Sequence, residues 1–353
     1  MAEEKMHAVV IYGKEDFRYE EVPKPKPKEG EILVRIERCG ICAADPKIYH
    51  GKAYFSKIVY DHAPIIAGHE FIGEVVELGP GAKERHGVDV GDRAIMENIV
   101  PCGECYYCRR GMYNLCIPHL IPGVKMNGGW AEYMIYPKNA IVHKVPKDMP
   151  VDAAVLIEPF ACAIHGVELG EIGFEDVVVL LGAGPIGCLM ISAIKQKNPK
   201  LLIVSEPDPH RRSVAKELGA DIVVNPIEED LVARVMEETD NIGADVVIDA
   251  SGSPKAVEAG INALRKQGRY VEFAVFAEKT CIDFSIISDI KELRIVGGHL
   301  GPYTYPAAIR LLHQGYVKYD KIVTHNIPLK DWRKAIDIAE RKLEGAIKVT
   351  MTP

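Results

Sequence analysis

The sequence lacks an excess of basic residues. Its 353 residues include 43 lysines and arginines against 50 aspartates and glutamates, which gives a formal net charge of −7. Because nucleic acids and anionic membranes attract positive charge, this balance argues against either as a partner. One long stretch, residues 177–194, lacks charge. Its glycines and its bare minimum length disfavour a membrane span, and a buried strand followed by a buried helix explains it better.

The N-terminus lacks the pattern of a secretory signal peptide. Residues 1–5 are Met-Ala-Glu-Glu-Lys, and no long apolar region follows them. We therefore expect a cytoplasmic protein. In that compartment nine cysteines point to metal binding or catalysis rather than to disulfide bonds. The length favours two domains over one, and 48% hydrophobic residues are ample for large cores.

A glycine-rich turn follows an apolar run at Val177–Leu181. This pattern predicts a buried strand, a tight turn and a helix. Gly182 permits the turn, Gly184 lets the backbone approach a pyrophosphate, and Gly187 lets the helix pack close to the strand. Pro185 suits the first helical turn, and the free N–H groups there favour an anion. The alternative is a glycine-rich turn in some other α/β protein.

An acidic residue follows the turn at the distance that dinucleotide-binding proteins show. Glu206 ends the next apolar run, Leu201–Ser205. Its carboxylate is expected to accept hydrogen bonds from the adenosine ribose and to repel a 2′-phosphate, which favours NAD over NADP. The nearby Arg211 and Arg212 keep NADP open as the alternative cofactor.

Strand and helix patterns lie on both sides of this turn. Before it, short strands between turn residues indicate a barrel-like, β-rich domain. After it, strands and helices alternate, which predicts a parallel, doubly wound sheet. The expected elements are strands at 7–12, 31–37 and within 65–78, a proline-spaced connection over 20–30, strands at 221–225, 244–249, 269–276 and 293–297, helices at 230–239, 254–265, 305–312 and 332–343, and a last strand at 346–351.

Four cysteines, Cys102, Cys105, Cys108 and Cys116, lie close together in the sequence. Four thiolates can close a tetrahedron around Zn²⁺, and a closed tetrahedron leaves no position for water, so the site is predicted to be structural. An iron–sulfur cluster is the rival, because similar spacings occur in ferredoxins. No second cluster motif is present and no proline follows the last cysteine, so zinc is favoured.

A looser set of possible ligands consists of Cys42, His69 and Glu158. One soft and two harder ligands would leave the fourth position of a zinc ion open for catalysis. Spacing alone does not reveal such a site, since a single cysteine or histidine is more often a buried structural residue.

Several motifs occur in a fixed order along nearly the whole chain. They are Cys42-x-x-Asp45, Gly68-His-Glu-Phe-Ile-Gly73 with Gly79, the four cysteines, and the Gly182-x-Gly-x-x-Gly turn. Together they resemble the zinc-containing medium-chain alcohol dehydrogenases. The resemblance implies an α/β protein that forms a homo-oligomer, either a dimer or a tetramer, with two zinc ions per chain. The implied domains are a GroES-like β-rich catalytic domain over 1–157 with a structural zinc lobe at about 98–120, a Rossmann NAD-binding domain over 158–297, and a return segment over 298–353 that completes the catalytic domain.

The resemblance also implies the ligands of the catalytic zinc. The first matches Cys42 rather than Cys39, and the second matches His69. Glu70 is the neighbouring carboxylate that contacts or transiently binds the metal. Glu158 resembles the glutamate of the polyol and threonine branches, where simple alcohol dehydrogenases carry a cysteine, and whether Glu70 or Glu158 is the third permanent ligand stays open. The implied cofactor contacts are Gly182, Gly184, Pro185, Ile186, Gly187, Glu206, Arg211, Ser251 and Val275.

Four segments, 42–51, 270–276, 284–289 and 299–302, narrow the resemblance to the erythritol/L-threitol dehydrogenase branch. The implied reaction is transfer of hydride from a secondary hydroxyl of a polyol to NAD⁺, which gives a ketose. L-threonine, another sugar alcohol or a simple secondary alcohol is the alternative substrate, and a non-catalytic dinucleotide-binding protein is the alternative class. The predicted pocket residues are Tyr49, Tyr54, Phe55 and His299.

The chain departs from the family at the residues that carry the proton. Ala44 stands where many members have serine or threonine, and Lys47 stands where they have the relay histidine. We therefore hypothesise that the proton leaves through water at the metal, assisted by Lys47, Tyr49 or Glu70. A lysine that faces solvent or a phosphate is the alternative interpretation of Lys47.

Overall fold

The computed structural model describes residues 4–53, 55–276 and 278–353. Tyr54, one of the predicted pocket residues, lies outside these ranges. The chain divides into two compact units. The first unit comprises Met1–Glu158, Tyr305–Gly315 and Val323–Pro353, and the second comprises Pro159–Thr304 and Tyr316–Ile322.

Sixteen strands and twelve α-helices are present in the described residues. The strands are β1 (Lys5–Gly13), β2 (Asp16–Pro23), β3 (Ile32–Gly40), β4 (Ile65–Ile66), β5 (Phe71–Leu78), β6 (Arg93–Met96), β7 (Tyr133–Tyr136), β8 (Val142–Val145), β9 (Val177–Leu181), β10 (Leu201–Ser205), β11 (Ile222–Val224), β12 (Ala244–Asp249), β13 (Leu264–Glu272), β14 (Arg294–Gly297), β15 (Val323–Pro328) and β16 (Lys348–Thr352). The helices are α1 (Ala44–Tyr49), α2 (Ser56–Asp61), α3 (Ala82–His86), α4 (Val151–Ala154), α5 (Ile157–Leu169), α6 (Pro185–Lys197), α7 (Pro209–Leu218), α8 (Leu231–Glu238), α9 (Pro254–Ala263), α10 (Tyr305–His313), α11 (Tyr319–Ile322) and α12 (Trp332–Arg341). None of these helices is long and apolar enough to cross a lipid bilayer.

The first unit is β-rich, as the sequence predicts. One sheet has the strand order β2-β1-β4, and the other has the order β15-β16-β3-β5-β6-β8, with β7 also paired to β3. Strand β3 pairs antiparallel with β5, β7 and β16. Val9, Ile32, Phe71 and Trp130 belong to one buried cluster in this unit. Strand β3 lies between β16 and β5 in this sheet. The residues that follow the end of β3 therefore lie near the residues that precede β5.

The second unit contains a six-stranded sheet with the order β11-β10-β9-β12-β13-β14, and all its strand pairs are parallel. This order places the first strand of the unit, β9, in the interior of the sheet, and every residue of β9 is buried. Both observations fit the uncharged run that predicted a fully buried strand. The order is that of the doubly wound dinucleotide-binding fold, so this prediction is confirmed.

The bounds of two predicted elements are wrong. The connection predicted over 20–30 begins later, because β2 continues to Pro23 and pairs along its length with β1. As an edge strand, β2 tolerates a proline at its end. The strand predicted over 269–276 begins at Leu264 and ends at Glu272. It ends there because the Glu272 carboxylate accepts a hydrogen bond from the backbone N–H of Ala274, which turns the chain.

Candidate active site

The ends of two paired strands bring together residues that are far apart in sequence. Cys42 follows β3, and His69 and Glu70 precede β5. In the β3–β5 pair, Cys39 lies opposite Phe71, so the end of one strand is beside the start of the other. The sulfur of Cys42, a ring nitrogen of His69 and a carboxylate oxygen of Glu70 all lie within 4.8 Å of one another. We refer to these three residues as the Cys42–His69–Glu70 cluster.

Glu158 lies beside this cluster, at the start of α5. It is buried, and its Oε1 accepts a hydrogen bond from the side-chain amide of Asn98 at 2.6 Å. Its carboxylate is outside the set of donor atoms that lie within 4.8 Å of one another. Its negative charge nevertheless acts on His69. The structure therefore brings Cys42, His69 and Glu70 into one group of donors and places Glu158 next to that group.

The electrostatics of this region are those of a site for a cation. Burial lowers the pKa of His69, but the negative charges of Asp45, Cys42 and Glu158 outweigh burial and hold this pKa well above its usual value. A cysteine sulfur, an imidazole and carboxylates gathered in one half-buried place form a donor set that suits Zn²⁺. A divalent ion would also neutralise the negative charge gathered here.

Asp45 contacts Cys42 and His69, two candidate metal ligands that follow β3 and precede β5. Its Oδ2 accepts a hydrogen bond from the backbone N–H of Cys42 at 2.7 Å, and its Oδ1 lies 3.7 Å from Nδ1 of His69. Burial, followed by the charge of Glu70, raises the pKa of Asp45 to about 6, although the charge of His69 opposes this rise. Carboxylates that orient metal-binding histidines in this way are common around zinc. The sequence motif contained Asp45, but sequence reasoning gave it no role.

Lys348 is a second residue that sequence reasoning missed. It is 2% exposed in β16, its Nζ donates to the backbone oxygen of Ile41 at 2.9 Å, and it forms an ion pair with Glu70. Burial lowers the pKa of Lys348, but the charges of Glu70, Cys42 and Glu158 raise it above the ordinary value overall. The lysine therefore stays protonated and balances part of the negative charge. The sequence held one signal for this role, which was a lysine in the predicted last strand, 346–351, among mostly apolar residues.

Two of the three residues proposed to assist proton transfer, Lys47 and Tyr49, lie on α1. Lys47 is half-buried. The hydroxyl of Tyr49 donates to the backbone oxygen of Glu15 at 3.3 Å, its ring meets Phe17 edge-on, and the guanidinium of Arg333 lies 4.2 Å from the ring centre. These contacts show that Tyr49 packs against its neighbours in this unit. A proton route through Lys47 or Tyr49 stays a prediction.

The four cysteines of the lobe come together as one group. Their sulfur atoms all lie within 4.8 Å of one another. The backbone N–H groups of Cys102 and Cys105 donate to the sulfurs of Cys116 and Cys102, at 3.4 and 3.3 Å. Backbone hydrogen bonds lower the pKa of Cys105 to about 6. Four sulfur donors with a polarised backbone around them fit a closed tetrahedral zinc site. We call residues 102–116 the four-cysteine lobe.

In the second unit, the glycine-rich turn has the geometry that the sequence suggested. Gly182 has a φ of +94°, which disfavours other residues, and α6 begins at Pro185 with Gly184 as its N-cap. A Cβ atom on Gly187 would clash with the carbonyl oxygen of Gly182, so close packing requires glycine there. Space beside Gly184 is open except for a guanidinium nitrogen of Arg211, 3.7 Å from the position of a Cβ atom. Backbone N–H groups at a helix start can thus approach an anion.

Glu206 holds this turn in place. It is buried at the end of β10, its Oε2 accepts from the backbone N–H of Ala183 at 2.7 Å, and its Oε1 accepts from Asp208 N–H at 3.0 Å. Arg212 turns its guanidinium to the backbone oxygens of Glu206 and Pro207, at 2.8 and 2.6 Å. Sequence reasoning predicted the acidic residue at this place but missed its bond to the turn.

Ser251 and Val275 lie in the loops that follow β12 and β13. Each loop is held by a carboxylate at the end of its strand, and the two carboxylates belong to residues that pair in the sheet, Asp249 and Glu272. Asp249 Oδ1 accepts from the N–H and the hydroxyl of Ser251, at 2.7 and 2.6 Å. Glu272 Oε1 accepts from Ala274 N–H at 2.7 Å.

This pair of carboxylates makes stability depend on pH. Burial, followed by the charge of Asp249, raises the pKa of Glu272 from 4.5 to about 7. A raised carboxyl pKa in the folded state means that its stabilising contribution is complete below pH 4.5 and is lost as the pH rises to about 7. We expect Glu272→Gln, which keeps the acceptor oxygen, to raise Tm relative to the wild type at pH 8 and not at pH 4.5. Thermal unfolding at the two pH values checks this, and an equal Tm difference at both would contradict it.

The fold and the donor sets define a class: a metal-dependent oxidoreductase that binds a dinucleotide. Residues 28–147 match the alcohol dehydrogenase GroES-like domain, and residues 185–314 match the zinc-binding dehydrogenase family. An erythritol/L-threitol dehydrogenase from Mycolicibacterium smegmatis is 45% identical over 99% of this chain and 98% of its own length. An L-threonine 3-dehydrogenase from Pyrococcus furiosus is 41% identical over 86% of each chain.

A solved structure gives the same result for the fold. A zinc-binding dehydrogenase from Sinorhizobium meliloti 1021 bound to NADP superimposes with a TM-score of 0.89 at 28% identity, covering 99% of this chain and all of the other. The chain belongs to the zinc-containing medium-chain alcohol dehydrogenases. The resemblance drawn from the sequence is therefore confirmed, and so is the fold class, a GroES-like β-rich domain with a Rossmann domain. Its chemistry is that of a zinc-type alcohol or polyol dehydrogenase acting on a small molecule.

Proposed function

We propose that this protein oxidises a secondary hydroxyl of an erythritol- or threitol-like polyol to a ketone, with NAD⁺ as the hydride acceptor. The observation that carries the proposal is the Cys42–His69–Glu70 cluster, in which Glu70 is buried and the other two residues are half-buried, with Glu158 beside it. The sequence relation to the mycobacterial erythritol/L-threitol dehydrogenase supports the polyol as the substrate class.

The residues of the cluster have separable tasks. Cys42 and His69 would hold a zinc ion, and Glu70 or Glu158 would complete its protein ligands. When bound, zinc polarises an alcohol oxygen and lowers the pKa of the alcohol. Asp45 holds the backbone of Cys42 through a hydrogen bond, and its charge faces the ring of His69 at 3.7 Å. Lys348 forms an ion pair with Glu70 and fixes the direction of its carboxylate. Since Asp45, Glu70, Glu158 and Lys348 are all buried, their charges act with little screening by water.

Two further assignments belong to the same proposal. The four-cysteine lobe would hold a second zinc ion with a structural role, which makes two per chain. NAD rather than NADP is the proposed cofactor, because the carboxylate of Glu206 lies at the glycine-rich turn, where it would repel a 2′-phosphate. We also propose a homo-oligomer in the cytoplasm, by analogy with the family.

L-threonine is the second candidate substrate. The observation that favours it is the relation to the Pyrococcus threonine dehydrogenase over most of the chain. Threonine and a polyol both present a secondary hydroxyl next to a second polar group. They differ in that group, which is an ammonium in threonine and a hydroxyl in a polyol.

A substrate panel tests the proposal. Initial rates are measured with tetritols, pentitols, hexitols, L-threonine and simple secondary alcohols, each with NAD⁺ and with NADP⁺. We expect kcat/KM for erythritol or threitol to exceed that for simple secondary alcohols by at least about tenfold, because a site that binds a neighbouring hydroxyl discriminates strongly against its absence. Activity confined to threonine or to simple alcohols would contradict the polyol assignment, and a preference for NADP⁺ would contradict the role given to Glu206.

A further inference from the structure

Asn98, which lies two residues after the end of β6, contacts Glu158 at the start of α5. Its side-chain N–H donates to Oε1 of Glu158 at 2.6 Å, and both side chains are buried. A short hydrogen bond from a buried amide restricts the direction in which this carboxylate points.

Asn98 is itself held by residues on two sides. Its backbone N–H donates to the hydroxyl of Tyr305 at 3.2 Å. The ring of Tyr305 stacks on His143 with ring centres 5.4 Å apart. The preceding residue, Glu97, is buried, and its Oε1 lies 2.9 Å from Nε2 of His143. The short segment that carries Asn98 is thus fixed by a closed group of polar and aromatic contacts.

The same segment reaches the four-cysteine lobe. The hydroxyl of Tyr113, which lies between the third and fourth cysteines, donates to Oε2 of Glu97 at 2.7 Å. Glu97 and Asn98 are neighbours in the chain, so Tyr113 and Glu158 hold adjacent residues. A continuous series of hydrogen bonds and one peptide link therefore runs from the lobe to the side of the Cys42–His69–Glu70 cluster.

We propose that Asn98 is a positioning residue that holds Glu158 toward the metal-binding cluster, and that Glu97 and Tyr113 tie this position to the four-cysteine lobe. The inference rests on the proposed function, because it gives Glu158 a role toward the catalytic metal. The inference also gives the four-cysteine lobe a second role besides stabilising its own loop. Through Tyr113, Glu97 and Asn98, the lobe helps to position the Glu158 side chain.

Packing alone does not explain an asparagine here. Asn98 is 3% exposed, and its Oδ1 is buried and accepts no hydrogen bond from the described residues. A buried polar atom without a partner destabilises the folded state. An apolar side chain of the same size would avoid this cost. The hydrogen bond from the side-chain N–H of Asn98 to Glu158 therefore explains why an amide stands at this position.

The test compares Asn98→Leu, Asn98→Gln and Tyr113→Phe with the full-length wild type. Asn139→Leu, at an exposed position in the same unit, is the matched control. Zinc retained per chain is measured after dialysis against increasing concentrations of a chelator, and kcat/KM is measured on the same preparations. Loss of a residue that orients a metal ligand typically lowers metal affinity or activity by about 10–100-fold.

We expect Asn98→Leu to lose one zinc ion per chain at about 10–100-fold lower chelator concentration while the second ion is retained. For Asn98→Gln, which keeps the donor, the chelator concentration that removes this ion is expected to lie between the values for Asn98→Leu and the wild type. Tyr113→Phe should shift the same ion in the same direction by a smaller factor. If Asn98→Leu does not fold, Asn98→Ser removes the long donor with a smaller change in packing.

Unchanged zinc retention and unchanged kcat/KM in Asn98→Leu would overturn the inference. A normal Tyr113→Phe enzyme would overturn its link to the lobe. Because zinc retention is measured without substrate, a wild-type enzyme that oxidises no polyol would contradict the proposed function while the zinc measurement still decides the role of Asn98.

Discussion

Replacing His69 with alanine is expected to lower kcat/KM for the alcohol by at least about 10³-fold and to remove one zinc ion per chain. The expectation follows from the cluster, in which Cys42, His69 and Glu70 supply the mutually close donors. Without the imidazole, a thiolate and a carboxylate remain as the close pair, too few to hold a catalytic zinc. The metal contributes several kcal/mol of charge stabilisation to such reactions, and each 1.36 kcal/mol corresponds to about tenfold in rate.

Activity and metal content of the His69→Ala protein check this result together. His313→Ala is the matched control, because His313 lies away from the cluster and pairs with Asp148 at 3.1 Å. The control should keep both metal ions and nearly all activity. A His69→Ala protein that keeps two zinc ions, or more than a tenth of the wild-type rate, would show that the cluster is not the catalytic metal site.

Replacing Lys348 with methionine is expected to destabilise the protein by about 3–5 kcal/mol, because it leaves the Glu70 carboxylate buried without its partner. Methionine keeps the length of the side chain, so lost packing contributes little. The double variant Lys348→Met with Glu70→Gln should recover most of this loss, since it removes the unpaired charge as well. Urea unfolding of the three proteins measures the free energies of unfolding.

Lys321→Met is the control for this experiment. Lys321 pairs with Glu217 at 2.8 Å, but both side chains are almost half exposed. Such exposed pairs contribute about 0–1 kcal/mol, so the control should lie close to the wild type. If the double variant is no more stable than Lys348→Met alone, the cost does not come from an unpaired carboxylate, and the assignment of Lys348 as the partner of Glu70 fails.

Parts of the site that depend on local sequence could be predicted from the sequence. The four cysteines of the lobe lie within 15 residues, so a single loop brings them together. The glycine-rich turn is also local, because the strand, the turn and the helix are consecutive. The parallel, doubly wound sheet followed from the alternation of strands and helices.

Other parts depend on contacts between distant segments. Cys42 and His69 meet because β3 and β5 pair, and their spacing gives no sign of this, so the prediction needed the family resemblance. Asn98 and Lys348 were missed for the same reason. Each is an ordinary polar residue in the sequence, and each acquires its role from a buried carboxylate that another segment supplies. The strand boundaries at Pro23 and Glu272 also depended on partners that local patterns do not show.

The most direct test of the central claim is the rate of NADH formation from erythritol and NAD⁺ before zinc removal, after zinc removal and after zinc is added back. We expect a high initial rate, a loss of at least about 10³-fold in kcat/KM on removal, and recovery on re-addition. A rate on erythritol that survives complete removal of zinc, or no rate on any polyol from a protein that holds two zinc ions per chain, would contradict the assignment of this protein as a zinc-dependent polyol dehydrogenase.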